Sequence, residues 1–317
     1  MRYWQAWNEP DLNLFLNPQW RRVHGRLVPA SPGVYRPLLN AFYAGVKVAH
    51  RSNVVVTAGT APFGHNPGGD SVRPALFDRL LFCVKGRRRP RPVHCPSPVH
   101  FDVLAHHPYP FGDPRQHALN ADDVNLPDLA NLKRPLRVAI RAGNVRPRRR
   151  KPVWATEISW DTKPPDPDGV PVHTEARYLE SAFYLLWRQG VSVITWFLLR
   201  DEARGSSYGK TIQSGIYYRG SSVQNDVRKP AFATFRFPFT AFTIRRVAQI
   251  WGLAPHRGRV RIQVLRHGHW RRLRTVRTRP GRLFFLRKRL PRGTRLRARQ
   301  GHATSARWRV GPSAFKK

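Results

Sequence analysis

Short runs of β-branched and aromatic residues alternate with amphipathic stretches over roughly the first three quarters of the chain, and this alternation constrains the fold more than any other feature. Val54–Thr57 (VVVT) is a continuous apolar run, the pattern of a strand covered on both faces. Residues 3–7, 101–105, 152–156 and 191–198 read as further strands. Helical spacing of apolar residues predicts helices over 34–50, 73–84, part of 122–142, and 174–189, with Thr174 placed to cap the last of these. A short helix over 229–237 closes the region. Such alternation implies an α/β architecture in which a parallel sheet is covered by helices. Each strand ends in polar or aromatic residues: Asn8-Glu9, His106-His107-Pro108-Tyr109, Thr156-Glu157 and Trp196. In a (β/α)8 TIM barrel the strand ends form the functional face. An open doubly wound sheet would instead place a Gly-rich phosphate turn after a strand, and the sequence has none.

Beyond about residue 240 the texture changes. No Asp or Glu follows Asp226, and the helical signal fades. Alternating segments at 260–265, 270–278, 282–287, 295–299 and 306–310 are separated by turn-prone residues such as Gly258, His267-Gly268, Pro280-Gly281 and Gly301. That is the pattern of a small all-β, sandwich-like domain. The expected division is therefore 1–239 and 240–317.

The formal charge is +39. Taken alone it points to a polyanion partner: nucleic acid, acidic polysaccharide or an anionic membrane surface. Compositional drift toward Arg, Ala, Pro and Gly explains it equally simply, and the charge is spread rather than gathered into a nucleic-acid motif. No apolar run approaches the roughly 18–20 residues that span a bilayer. The opening MRYWQAWNEP is not a signal peptide; it reads as the interior of a domain. The two cysteines, Cys83 and Cys95, bracket a basic, Pro-rich loop. Paired, they would stabilise it by about 3 kcal/mol; unpaired, they are ordinary core thiols. His106 and His107 are adjacent, so on a strand they face opposite ways and cannot share one metal ion.

Acidic residues are scarce, yet Glu9 and Glu157 each close an aromatic-rich apolar run. The segment WNEP (Trp7 to Pro10) resembles the acid/base signature of clan A glycoside hydrolases, in which an Asn-Glu pair ends the fourth barrel strand. VWATEISW (Val153 to Trp160) is similar to the clan's seventh-strand motif, which ends in the nucleophile. HHPYP (His106 to Pro110) resembles the sixth-strand segment, and Trp196 the aromatic residue that ends the eighth strand. The resemblance runs over about residues 3–237, where SGIYY and KPAF resemble the end of such barrels. It implies a retaining glycosidase that cleaves β-linked polysaccharides or glycosides and needs neither metal nor cofactor. Carried onto matching positions, Glu9 becomes acid/base and Glu157 nucleophile. Asn8 would bind the sugar hydroxyl beside the anomeric carbon, Tyr109 would donate to Glu157, and His107 would contact substrate or carboxylates. Trp196 would floor the sugar site and Trp160 would add a wall.

The resemblance also implies three strand–helix units ahead of the Asn-Glu strand, where this chain has only a few residues. An incomplete barrel, strands four to eight, is therefore expected, with two open sheet edges. A GTG valine codon read as the initiator Met1 would account for it, and translation of the upstream DNA tests that reading. The C-terminal segment resembles immunoglobulin-like β modules of secreted bacterial proteins, and its charge would suit acidic glycans or the cell envelope. Secretion is expected from the family and the cysteine pair. Two rival readings stay open: a polyanion-binding protein acting through the basic C-terminal domain, and an inactive gene remnant.

Overall fold

A computed structural model describes residues 1–313. It is a mixed α/β structure that divides into two compact units. The first comprises Met1–Pro110, Gln116–Ile158 and Leu186–Trp196; the second comprises Phe111–Arg115, Ser159–Leu185 and everything from Phe197 onward.

In the first unit five strands run parallel in chain order. They are β1 (Tyr3–Ala6), β2 (Val54–Thr57), β3 (Leu104–His106), β4 (Val153–Ile158) and β5 (Val191–Trp196). β1 pairs with β2, Tyr3 opposite Val54 and Ala6 opposite Thr57. Parallel bridges Val56↔Val103 and Thr60↔His106 connect β2 to β3. β4 lies between β3 and β5, with Val153 opposite Leu104 on one side and Val191 on the other. Among the described residues no pairing joins β1 to β5, so both outer strands have an open edge. Those strands are unusually exposed for a parallel sheet, which ordinarily buries both faces: Tyr3 is 53% accessible and Val193 38%. The Tyr3 ring nevertheless meets the Trp154 ring of β4 at 5.3 Å between centroids. Two strands lie between them, and strands are about 4.8 Å apart. The sheet is therefore strongly curved on that face.

Helices α1 (Ser31–Ala49), α2 (Pro74–Leu81) and α3 (Ala130–Ala142) follow these strands, and α4 (Val172–Arg188) precedes β5. The first three bury Tyr35 and Leu39, Phe77 and Leu81, and Leu132, Leu136 and Ala139 respectively, beside a strand core of Val56, Val103 and Ala105. Pro74 opens α2, where a missing N–H costs nothing. Gly143 ends α3 at φ 86°, and its N–H returns to Ala139 and Ile140 carbonyls. Cys83 and Cys95 form a disulfide with Cα atoms 5.5 Å apart. The Arg36 guanidinium braces the same loop by donating to the Leu80 and Ser97 carbonyls.

Several boundaries differ from expectation. β1 stops at Ala6 because Trp7 turns to φ 81°. β3 begins at Leu104 rather than residue 101, since Phe101 and Asp102 form the approach to the strand. Thr174 is not the helix cap: α4 begins at Val172, directly after Pro171, so Thr174 sits in its first turn.

The second unit holds α5 (Pro230–Arg236) and, besides two short two-stranded pairings, two larger sheets. One sheet contains β6 (Phe239–Ile244), β7 (Val247–Leu253), β10 (Leu283–Lys288) and β14 (Gly311–Ser313), in the order β10-β7-β6-β14. The other contains β8 (Arg259–Arg266), β9 (His269–Arg277), β11 (Arg295–Gln300) and β12 (Ala303–Thr304), with β13 (Trp308–Arg309) also on β11. Phe242 of the first sheet meets Trp308 of the second, ring centroids 5.1 Å apart. Tyr184 of α4 stacks on Phe242 at 5.2 Å. Buried Lys229 donates to Asp201, Thr162 and the Gln213 carbonyl at 2.7–2.8 Å, so its charge is paired and hydrogen-bonded.

Candidate active site

The site of the first unit is built at the C-terminal ends of β1, β2, β3 and β4. After β1 the backbone reverses: Trp7 and Glu9 have φ of 81° and 33°. Non-glycine residues reach this region at a cost of about 1–3 kcal/mol each. Hydrogen bonds hold the turn. Glu9 N–H donates to the Gly59 carbonyl, and Leu12 N–H to the Glu9 carbonyl, each at 3.0 Å. Fully buried Asp11 accepts from Ala61 N–H at 3.0 Å, and burial pushes its carboxyl well above the usual range. Beneath these loops the Tyr35 hydroxyl donates to the Ala6 carbonyl and accepts from Ala58 N–H, both at 2.7 Å. One side chain of α1 thus pins the ends of β1 and β2 together.

His107 is completely buried and stands between the two carboxylates. Its Nδ1 is 2.9 Å from Glu9 Oε1 and 3.6 Å from Glu157 Oε2. His107 Nδ1 and Glu9 Oε1 share one hydrogen bond at 2.9 Å; Nε2 is buried and has no partner among the described residues. The sum of the two contacts is the upper bound on the separation of those oxygens. Tyr109 Oη donates to Glu157 Oε2 at 2.9 Å. Burial raises the Glu157 carboxyl, while His107 and the Tyr109 hydroxyl oppose that shift. Side-chain accessibilities of 14% for Glu9 and 24% for Glu157 leave both within reach of a ligand.

Five of the residues singled out in the sequence therefore meet: Glu9, Glu157, His107 and Tyr109 by direct contact, and Asn8 as the half-buried neighbour of Glu9 in the same turn. Trp196 closes β5 in register with Ile158, one residue beyond Glu157. Trp160 belongs to the second unit, where its indole donates to the Gly112 carbonyl at 2.9 Å and its ring lies 5.3 Å from Tyr178. His106, next to His107, has a structural role. Thr60 Oγ1 and the Val124 carbonyl hold its two nitrogens at 2.9 and 2.8 Å, and burial pushes it down to about 3, so it stays neutral.

Gly59 was not foreseen. A Cβ there would lie 2.0 Å from His107 Nε2, so only glycine leaves room for the imidazole. A glycine just past the buried VVVT strand was the available signal, since such residues often mark a close approach. Gly59→Ala should displace the ring from Glu9 and lower kcat/KM by about 10²-fold, the usual consequence of misplacing a catalytic group by an ångström. Gly45→Ala, on the exposed face of α1 with open space around it, should leave kcat/KM unchanged. Equal activity in the two variants would contradict the role given to His107.

No protein-family model and no curated protein matches the chain. Among solved structures it is similar to β-glucuronidase 2 of Bacteroides uniformis, at 10% identity over 89% of this chain and 31% of that one, TM-score 0.39. It is also similar to a putative β-galactosidase from Bacteroides fragilis, at 10% identity over 98% and 41%, TM-score 0.41. A family 51 α-L-arabinofuranosidase from Bifidobacterium longum gives 12% identity over 99% and 65%, TM-score 0.44. The chain spans about a third of the length of the first of these. Likeness at this level carries no information about substrate.

Proposed function

We propose that the first unit carries the catalytic pair of a retaining glycoside hydrolase acting on a β-linked glycoside or polysaccharide. The observation that carries the reading is the pair of carboxylates, Glu9 and Glu157, linked through one buried histidine at the ends of parallel strands. Glu157 attacks the anomeric carbon while Glu9 protonates the departing glycosidic oxygen. A covalent glycosyl-enzyme forms. Glu9, now a carboxylate, takes a proton from water, which displaces Glu157 and restores both groups. His107 orients Glu9 through the hydrogen bond at its Nδ1. The Tyr109 hydroxyl favours the charged form of Glu157 and so opposes the effect of burial. Asn8 binds the hydroxyl next to the reacting carbon, and Trp196 offers an aromatic floor. The β preference rests on the motif resemblance rather than on distances. Secretion remains part of the proposal, supported by the Cys83–Cys95 bridge, since disulfides persist in oxidising compartments. Among the described residues no helix is long and apolar enough to cross a membrane.

Proton NMR of the first-formed sugar, with a panel of aryl β-glycosides as substrates, tests the mechanism. Release of the β-anomer before mutarotation is the expected result. Release of the α-anomer, or no turnover by the folded chain across the panel, would overturn the proposal.

A further inference from the structure

The sheet β9-β8-β11 of the second unit separates its residues cleanly by face. Val260, Ile262, Val264, Leu296 and Ala298 are buried. The alternate positions are largely exposed arginines, and the register sets them directly opposite one another. Arg259 faces Arg277 and Arg261 faces Arg299; on β13, Arg309 faces Arg295. Like charges directly opposite on a sheet repel and destabilise it. Natural sequences usually place acids or neutral residues there, yet this chain contains no Asp or Glu after Asp226. Arg297, on the same face, is crowded as well: partial burial and then the neighbouring Arg299 and Arg307 push its guanidinium down. Among the described residues none of these six arginines makes an ion pair, and three like-charge pairs of this kind form a surface that an external anion would stabilise.

We propose that this arginine face binds an acidic polysaccharide. Neighbouring strands and alternate residues space the guanidinium groups about 5 and 7 Å apart. This is an array of forks able to take successive carboxylates or sulfates bidentately. Single-stranded nucleic acid fits less well, because its bases need free aromatic platforms. The aromatic ring of this face, Trp270, is already covered by Arg297 at 4.3 Å and approached by Arg307 at 5.9 Å. The arginines also lie on the broad face of the sheet, whereas duplex recognition calls for a helix or ribbon that enters a groove. The inference does not depend on the carboxylate pair of the first unit.

The test is calorimetry of the full chain with polygalacturonate and with heparin, which separates carboxylate from sulfate recognition, and with neutral dextran and duplex DNA. The face variant is Arg259→Ser/Arg261→Ser/Arg299→Ser. Its control is Arg87→Ser/Arg88→Ser/Arg89→Ser, which removes the same charge from an exposed loop of the first unit. Polygalacturonate or heparin should bind, dextran should not, and the face variant should weaken binding at least about tenfold while the control changes it little. The face variant should keep or raise the melting temperature, because each substitution relieves repulsion. Equal weakening in both variants would reduce the effect to net charge and overturn the proposal. Tighter binding of DNA lost in the face variant would reassign the surface to nucleic acid. No polyanion binding, or a lower melting temperature in the face variant, would likewise overturn it.

Discussion

Glu157→Ala should lower kcat on an aryl β-glycoside by about 10⁴-fold or more, the scale on which removal of a nucleophile acts. The carboxylate is partly accessible and its hydroxyl partner, Tyr109, is only half-buried, so the variant should fold. Azide should restore part of the rate. The alanine leaves a space beside the anomeric carbon, the small anion attacks from that side, and the product is a glycosyl azide of inverted configuration. Circular dichroism checks the fold, and product NMR checks the azide. A variant that retains most of its activity removes Glu157 from the mechanism. The wild-type pH profile offers a second reading of the same group. Glu157 must be ionised to attack, and burial raises its carboxyl. Activity should therefore fall on acidification through a limb that lies above the ordinary Glu value of about 4.3.

Glu9→Ala should behave differently, and the difference separates an acid/base from a nucleophile. General acid catalysis contributes about 10²–10⁴-fold, and only where the leaving group needs a proton. With alkyl glycosides the variant should lose that full factor. With a nitrophenyl glycoside, whose phenolate departs unaided, the first step should be nearly normal. The second step should then be slow, because no base activates water. The glycosyl-enzyme should accumulate, KM should drop, and a burst should precede the steady state. Azide should accelerate turnover to give a glycosyl azide of retained configuration. A uniform loss over all leaving groups would sink the assignment and point to a positional role for Glu9. The His107 contact at 2.9 Å supplies the mechanical basis for the expected pattern, since it orients the carboxyl without replacing it.

The carboxylate pair was legible in the sequence because each member ends an apolar run, and strand ends gather at one side of a parallel sheet. Tyr109 and His107 came instead from the resemblance of HHPYP to the family's sixth-strand segment. What the sequence did not reveal depends on distant residues packed together. The Tyr35 hydroxyl lies on a helix with ordinary apolar spacing, and nothing local marks it as the group that fastens Ala6 to Ala58. The space demanded at Gly59 is set by a ring from another strand. The departure of the chain at Trp7 and Glu9 carries no glycine or asparagine signal at either position, so its left-handed φ values were invisible. Thr174 illustrates the opposite error: a good capping residue overruled by a proline three positions earlier. The arginine pairs needed register, which a list of alternating segments cannot supply.

The open edges of β1 and β5 have a consequence for the chain as a colloid. Among the described residues the outer edges of β1 and β5 pair with no further strand, and accessible Tyr3, Trp4 and Val193 lie beside them, so these edges are adhesive toward other copies. At low ionic strength the +39 charge keeps copies apart by long-range repulsion. Salt shortens that repulsion to about 8 Å at physiological strength, while edge pairing by hydrogen bonds is hardly affected. At low salt the excess of arginine should thus act as a dispersant for a sheet whose outer strands, among the described residues, pair on one side only.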